Sequence, residues 1–322
     1  MPKTGIKRNK TIDNLRGIAM VAMMMIHSCS YFLKDRVTFL IWDYLQWAVP
    51  IFLFCSFYLA LKDTRQTDIV KRLKRLFIPY WIFLFFYFIL LYFFEKGSFN
   101  FPNFLANLFL YKGIDNNWLV LLFLYFTFIT IFFKKILKHR ILFSGFFLLS
   151  LISSIFLIFN HALPYRPVMW LPWSLILFFT YFVVKNEDSS KNLNLMGIFS
   201  FSIFLGNYFL MKSFGINNGQ YANKYPPTIL HLSYGIASTI FFFRLSDKGF
   251  FKKLKIEGWL KFFSINSYSL YFIHIIYLLI IQWSGLNRLL NWPLHFMIVV
   301  TVSSVSQILI NRFLRGAVIK IG

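Results

Sequence analysis

A chain of 322 residues that is 58% hydrophobic and 22% aromatic, with 44 phenylalanines, carries more apolar surface than a soluble core of that size can hide. Its net charge of +23 at pH 7 would suit nucleic acid if it were gathered on one face. The charge lies instead in the connections between apolar stretches, which excludes a nucleic-acid partner and points to an all-α protein in the lipid bilayer.

Ten apolar stretches long enough to span are predicted, at about 15–33, 40–61, 76–94, 117–133, 141–160, 168–184, 195–211, 228–243, 265–283 and 293–311. With the N-terminus in the cytoplasm, 25 of the 34 Lys and Arg residues fall in cytoplasmic segments and 8 in external loops, Arg16 lying within the first span. The positive-inside rule then puts both termini in the cytoplasm of a multi-pass cell-membrane protein. Lys3, Lys7, Arg8 and Lys10 precede the first span and no small-residue cleavage site follows it, so the first helix is expected to stay. Cys29 and Cys55 both lie in spans, which indicates neither a disulfide framework nor a Cys/His metal site.

The first span reads IDNLRGIAMVAMMMIHSCSYFL and carries ionisable groups where hydrocarbon makes them costly. Ten residues separate Arg16 from His27, and eleven steps of about 100° return the imidazole to within roughly 20° of the guanidinium, about 16 Å along the axis. Asp13 lies within roughly 40° of that line. One helix face therefore holds an acid, a guanidinium and an imidazole, and such groups face a bundle interior or a water-filled cavity by default. The plainer alternative is an Arg16 snorkelling at the membrane edge and a hydrogen-bonded core His27.

This segment resembles the N-terminal motif of the acyltransferase-3 family of integral membrane acyltransferases, an Asp-x-x-Arg-Gly pattern with a histidine after ten further residues. Asp13, Arg16, Gly17 and His27 match it position for position. The resemblance implies a single membrane domain over 1–322 that moves an acyl group, acetyl foremost, from cytosolic acetyl-CoA to an extracytoplasmic glycan or glycolipid hydroxyl, without a metal. His27 is then expected to take the acceptor proton, Arg16 to orient the thioester or stabilise developing charge, and Asp13 to hold Arg16.

The second span carries Asp43 near its external end and Pro50 in its middle, where a missing amide is expected to kink the helix. Ser56 matches the serine of the family's second-span pattern, and Phe57 stands where that pattern has glycine. Asp43 has three readings: a partner for His27, a contact to a substrate hydroxyl, or a group meeting water at the membrane edge. DTRQTDIVKRLKRLFIPYW is then predicted to form an amphipathic cytoplasmic helix entering the membrane. Arg72 and Arg75 share a face at i and i+3, with Lys71 and Lys74 beside them, and resemble the family's Arg-x-x-Arg element. Planar forks of donors suit the phosphates of coenzyme A, so Arg72, Arg75 and Lys74 are assigned to the donor, against a plain topogenic or lipid-binding role.

Trp118-Leu119 resembles the family's short Trp-x-Leu signature, and the loop before it, 95–116, is long enough for a short helix. His161, Arg166, Trp170 and Trp173 form an aromatic and polar external group suited to a saccharide, or simply a belt and a turn. The Asn/Gly-rich loop 212–227 is a second candidate contact for an acceptor. In the ninth span Tyr271 and His274 share a face and, with Ser269 and Leu270, resemble the family's Ser-Leu-Tyr-x-x-His pattern; His274 is expected to line the acyl path or to bond across the bundle. Asp43, Trp118, Tyr271 and His274 complete the expected substrate contacts. The chain is expected to lack a soluble extracytoplasmic domain, and its Lys, Asn, Ile and Phe bias suggests an A+T-rich bacterial genome. A flippase of lipid-linked saccharide and a non-catalytic partner of a polysaccharide synthase stay open as alternatives.

Overall fold

The computed structural model describes residues 8–63, 68–95, 100–160 and 164–321, and these form helices and short connections without a strand. In chain order the helices are α1 (Lys10–Cys29), α2 (Arg36–Tyr44), α3 (Ala48–Lys62), α4 (Ile69–Phe94), α5 (Phe101–Leu108), α6 (Trp118–Ile136) and α7 (Arg140–Phe156). There follow α8 (Tyr165–Val168), α9 (Trp170–Asn186), α10 (Ser190–Ser213), α11 (Ile229–Asp247), α12 (Phe250–Lys253), α13 (Glu257–Ile265), α14 (Ser267–Trp283) and α15 (Trp292–Ile321). Polar side chains cap several of them: those of Asn9, Asp35, Asp68 and Asn100 accept from the backbone amides of Ile12, Thr38, Lys71 and Asn103.

Among the described residues seven helical segments are long and apolar enough to cross a membrane, and eight if α13 and α14, bent by 83° at Asn266, count as one span. This is an integral membrane protein with fewer such segments than the ten expected. α1, which carries Lys10, Asp13 and Arg16, and the 17-residue α7 are not among them. The outer surface suits lipid: Phe85, Phe93, Phe199 and Phe209 on α4 and α10 are exposed.

α1 is the central helix. It packs on α3, α11, α13, α14 and α15, and thirteen of its twenty residues are buried. Its approach to α13 is close enough that a Cβ on Gly17 would sit 2.3 Å from the carbonyl oxygen of Leu260. A second such crossing sets Gly235 of α11 against Pro50. The structure corrects the expected mid-span kink, because a 3₁₀ turn at Leu45–Trp47 divides the segment and Pro50 falls in the first turn of α3. Amides there have no helical acceptor, so proline loses little. The basic stretch after Asp68 runs without interruption into α4, one helix of 26 residues with Pro79 inside it.

Candidate active site

His27 lies in the last turn of α1 and meets α14 across the bundle. Its Nδ1 is 2.8 Å from Nε2 of His274, and Nδ1 of His274 is 2.8 Å from the carbonyl oxygen of Leu270. The two rings stack at 6° with centroids 5.1 Å apart. A carbonyl only accepts, so neutral His274 carries its proton on Nδ1 and offers a bare Nε2. His27 must then donate from Nδ1, which leaves the lone pair on its own Nε2 free. Two hydrogen bonds thus fix the tautomer that a general base requires.

Two cavities flank this point. The first, about 350 Å³, is lined by Arg16 of α1, Ser56 and Phe57 of α3, Arg72 and Arg75 of α4, and Phe123, Phe126, Thr127 and Thr130 of α6. The second, about 620 Å³, is lined by His27, Trp42, Gln46, Trp118, Tyr165 and the α10–α11 connection from Tyr221 to Tyr225. The first draws on the beginnings of α4 and α14 and on the facing sides of α1, α3 and α6; the second draws on the end of α1, the turn before α3, the beginning of α6 and the later part of α14. Leu119 and Tyr271 belong to the walls of both. Tyr271 is held there by a 2.8 Å bond from its hydroxyl to the carbonyl of Asn116, with its ring centroid 6.3 Å from that of His27.

Among the described residues nothing accepts a hydrogen bond from Arg16, whose guanidinium faces the first cavity. Asp13 does not hold it. The Asp13 carboxylate takes both nitrogens of the Arg8 fork, Nη2 at 2.9 Å and Nε more closely, and the hydroxyl of Ser264 at 2.9 Å. The helical step between Asp13 and Arg16 turns the acid toward α13 while the guanidinium faces α3 and α4. Arg72 is half-buried and donates to Thr130 Oγ1 at 3.3 Å, and Arg75 stands beside it. Lys74 is exposed, and neither cavity counts it in its lining.

Asp43 matches none of its three readings. It is buried, and its two carboxylate oxygens accept the backbone amides of Gln220 at 2.9 Å and Tyr221 at 2.8 Å, so it anchors the α10–α11 connection. Trp118 is buried in the wall of the second cavity. Trp173 is fully buried against the ring of His231, and Arg166 bonds the carbonyl of Leu110, so the expected external cluster does not assemble. His161 lies outside the described residues. The short helix expected in loop 95–116 is α5.

Sequence reasoning did not single out Lys224. Only 4% of it is exposed, its Nζ donates to Gln46 Oε1 at 2.8 Å, and it stands over the rings of Trp118 and Tyr225 at 5.3 and 5.0 Å. Burial without a carboxylate pushes its ammonium down to about 7. The one available signal was a lysine in a loop already marked as a candidate contact.

A family model described as an acyltransferase domain matches residues 9–311, nearly the whole chain. No curated protein and no solved structure matches it.

Proposed function

Because the chain belongs to the acyltransferase-3 family, we propose that it transfers an acetyl group from acetyl-CoA to a hydroxyl of an extracytoplasmic glycan or glycolipid. In this reading α1 and α7 complete ten spans, both termini are cytoplasmic, and the Arg-lined cavity opens to the cytoplasm. The observation that carries it is the pair of cavities meeting at Tyr271 and Leu119, one lined by three guanidinium groups and the other by a base of fixed tautomer.

Arg72 and Arg75 would grip the donor phosphates, since their forks match oxyanion geometry. Phe52, Phe57, Phe123 and Phe126 offer the pantetheine arm an apolar wall, and Arg16 waits deeper along the same cavity. The thioester then stands near Tyr271. An acceptor hydroxyl in the second cavity gives its proton to Nε2 of His27 as its oxygen attacks the thioester carbonyl. The new C–O bond forms, the C–S bond breaks, and the proton passes on to the thiolate of coenzyme A. Arg16 is the fixed positive charge nearest the donor carbonyl oxygen as negative charge develops there.

The test is acetyl-CoA binding by the purified protein in detergent. The Arg72→Ala/Arg75→Ala variant is expected to bind about 100-fold more weakly, as loss of two charge-assisted contacts implies. Equal binding by both proteins would sink the donor assignment, and saccharide movement without thioester consumption would favour a flippase.

A further inference from the structure

We propose that the second cavity contains a subsite for a negatively charged oxyacid group on the acceptor, a carboxylate or a phosphate, built by Lys224 on a platform of Gln46, Trp118 and Tyr225. The inference rests on the acceptor reading of that cavity and narrows it to anionic saccharides.

The platform is built around the ammonium. The carboxamide of Gln46 donates from Nε2 to the carbonyl of Trp42 at 2.9 Å, which turns its Oε1 toward Lys224. The two aromatic faces tolerate a positive charge but accept no further conventional hydrogen bond. An ammonium has three donors, and Gln46 takes one of them. No carboxylate lines the cavity among the described side chains, and Asp43, the acid nearest this connection, is committed to the amides of Gln220 and Tyr221. A cation buried at 4% exposure with open donors and no counter-ion is costly, and an incoming anion removes that cost. The depressed ammonium pKa fits the same picture.

The lysine is also positioned. Asp43 holds the connection from one side, and the side chain of Asn223 bonds the carbonyls of Asn217 and Gly219 and accepts from Thr228. A fixed cation in the same cavity as His27 would hold a charged sugar so that a hydroxyl, rather than the charged group, meets the base.

The experiment compares methyl glucoside, methyl glucuronide and glucose 6-phosphate as acceptors for the full chain in detergent, together with their effect on its thermal unfolding. One of the anionic sugars is expected to exceed the neutral one by about tenfold in kcat/KM and to raise Tm, and which of the two does so identifies carboxylate or phosphate. Lys224→Met is expected to erase both effects. Gln46→Glu, which keeps the lysine but gives it an internal partner, is expected to erase them as well, guarding against a misfolded Lys224→Met. Equal use of neutral and charged sugars, a preference that survives Lys224→Met, or no stabilisation by either anion overturns the subsite. Lys224-dependent stabilisation without any transfer keeps the subsite and overturns the acyltransferase reading instead.

Discussion

Replacing His27 with alanine is expected to lower acetyl transfer by about 10²- to 10⁴-fold, the range that a positioned general base contributes. Acetyl-CoA binding should persist, because Arg72 and Arg75 line a cavity that His27 does not touch. The bond from His27 Nδ1 to His274 adds a second arm. His274→Phe removes the acceptor that keeps the His27 proton on Nδ1, whereas His274→Asn offers an acceptor in its place. Activity is expected to fall in the first and return in part in the second, with the pH–rate profile of the first displaced from that of the parent. A purely structural His274 would leave that profile unmoved. Full activity in His27→Ala would remove the imidazole from the mechanism.

The largest effect on folding is expected from Gly17→Ala. The added methyl would lie 2.3 Å from the carbonyl oxygen and 2.8 Å from the carbonyl carbon and Cα of Leu260, all backbone atoms that cannot rotate away. α1 and α13 would have to part, stretching the Ser264 to Asp13 bond. Overpacking of a fitted core costs about 1–3 kcal/mol, and a backbone clash lies at or beyond the upper end. A marked drop in Tm and in the yield of monodisperse protein is expected. Gly145→Ala is the control: a Cβ there meets nothing within 4 Å, and alanine is the better helix former. A Gly17→Ala protein as stable as the Gly145→Ala protein would show that the two helices separate without loss.

The local part of the site was legible in the sequence. Helical periodicity places Arg16 with His27, Arg72 with Arg75 and Tyr271 with His274; in the structure Arg72 and Arg75 line one cavity and the rings of Tyr271 and His274 lie in contact, whereas Arg16 and His27 line different cavities that share Leu119 and Tyr271. What escaped is what periodicity does not encode. The bond between His27 and His274 joins residues 247 apart in sequence, and the loop amides that claim Asp43 lie more than 170 residues beyond it. Lys224 gains its character from burial among Gln46, Trp118 and Tyr225, three residues of three separate segments. Asp13 and Arg16 share α1, but Arg8, just before the helix, offers Asp13 a two-pronged partner.

The shared wall of Leu119 and Tyr271 has a consequence for the cell as well as for chemistry. Two recesses that share one wall make an interrupted path, and among the described residues Leu119 and Tyr271 stand at the interruption. With the proposed activity such a protein would serve as insulator and conduit at once: a two-carbon unit would pass while ions and coenzyme are turned back, so the permeability barrier of the membrane would be thinnest where the bond is exchanged.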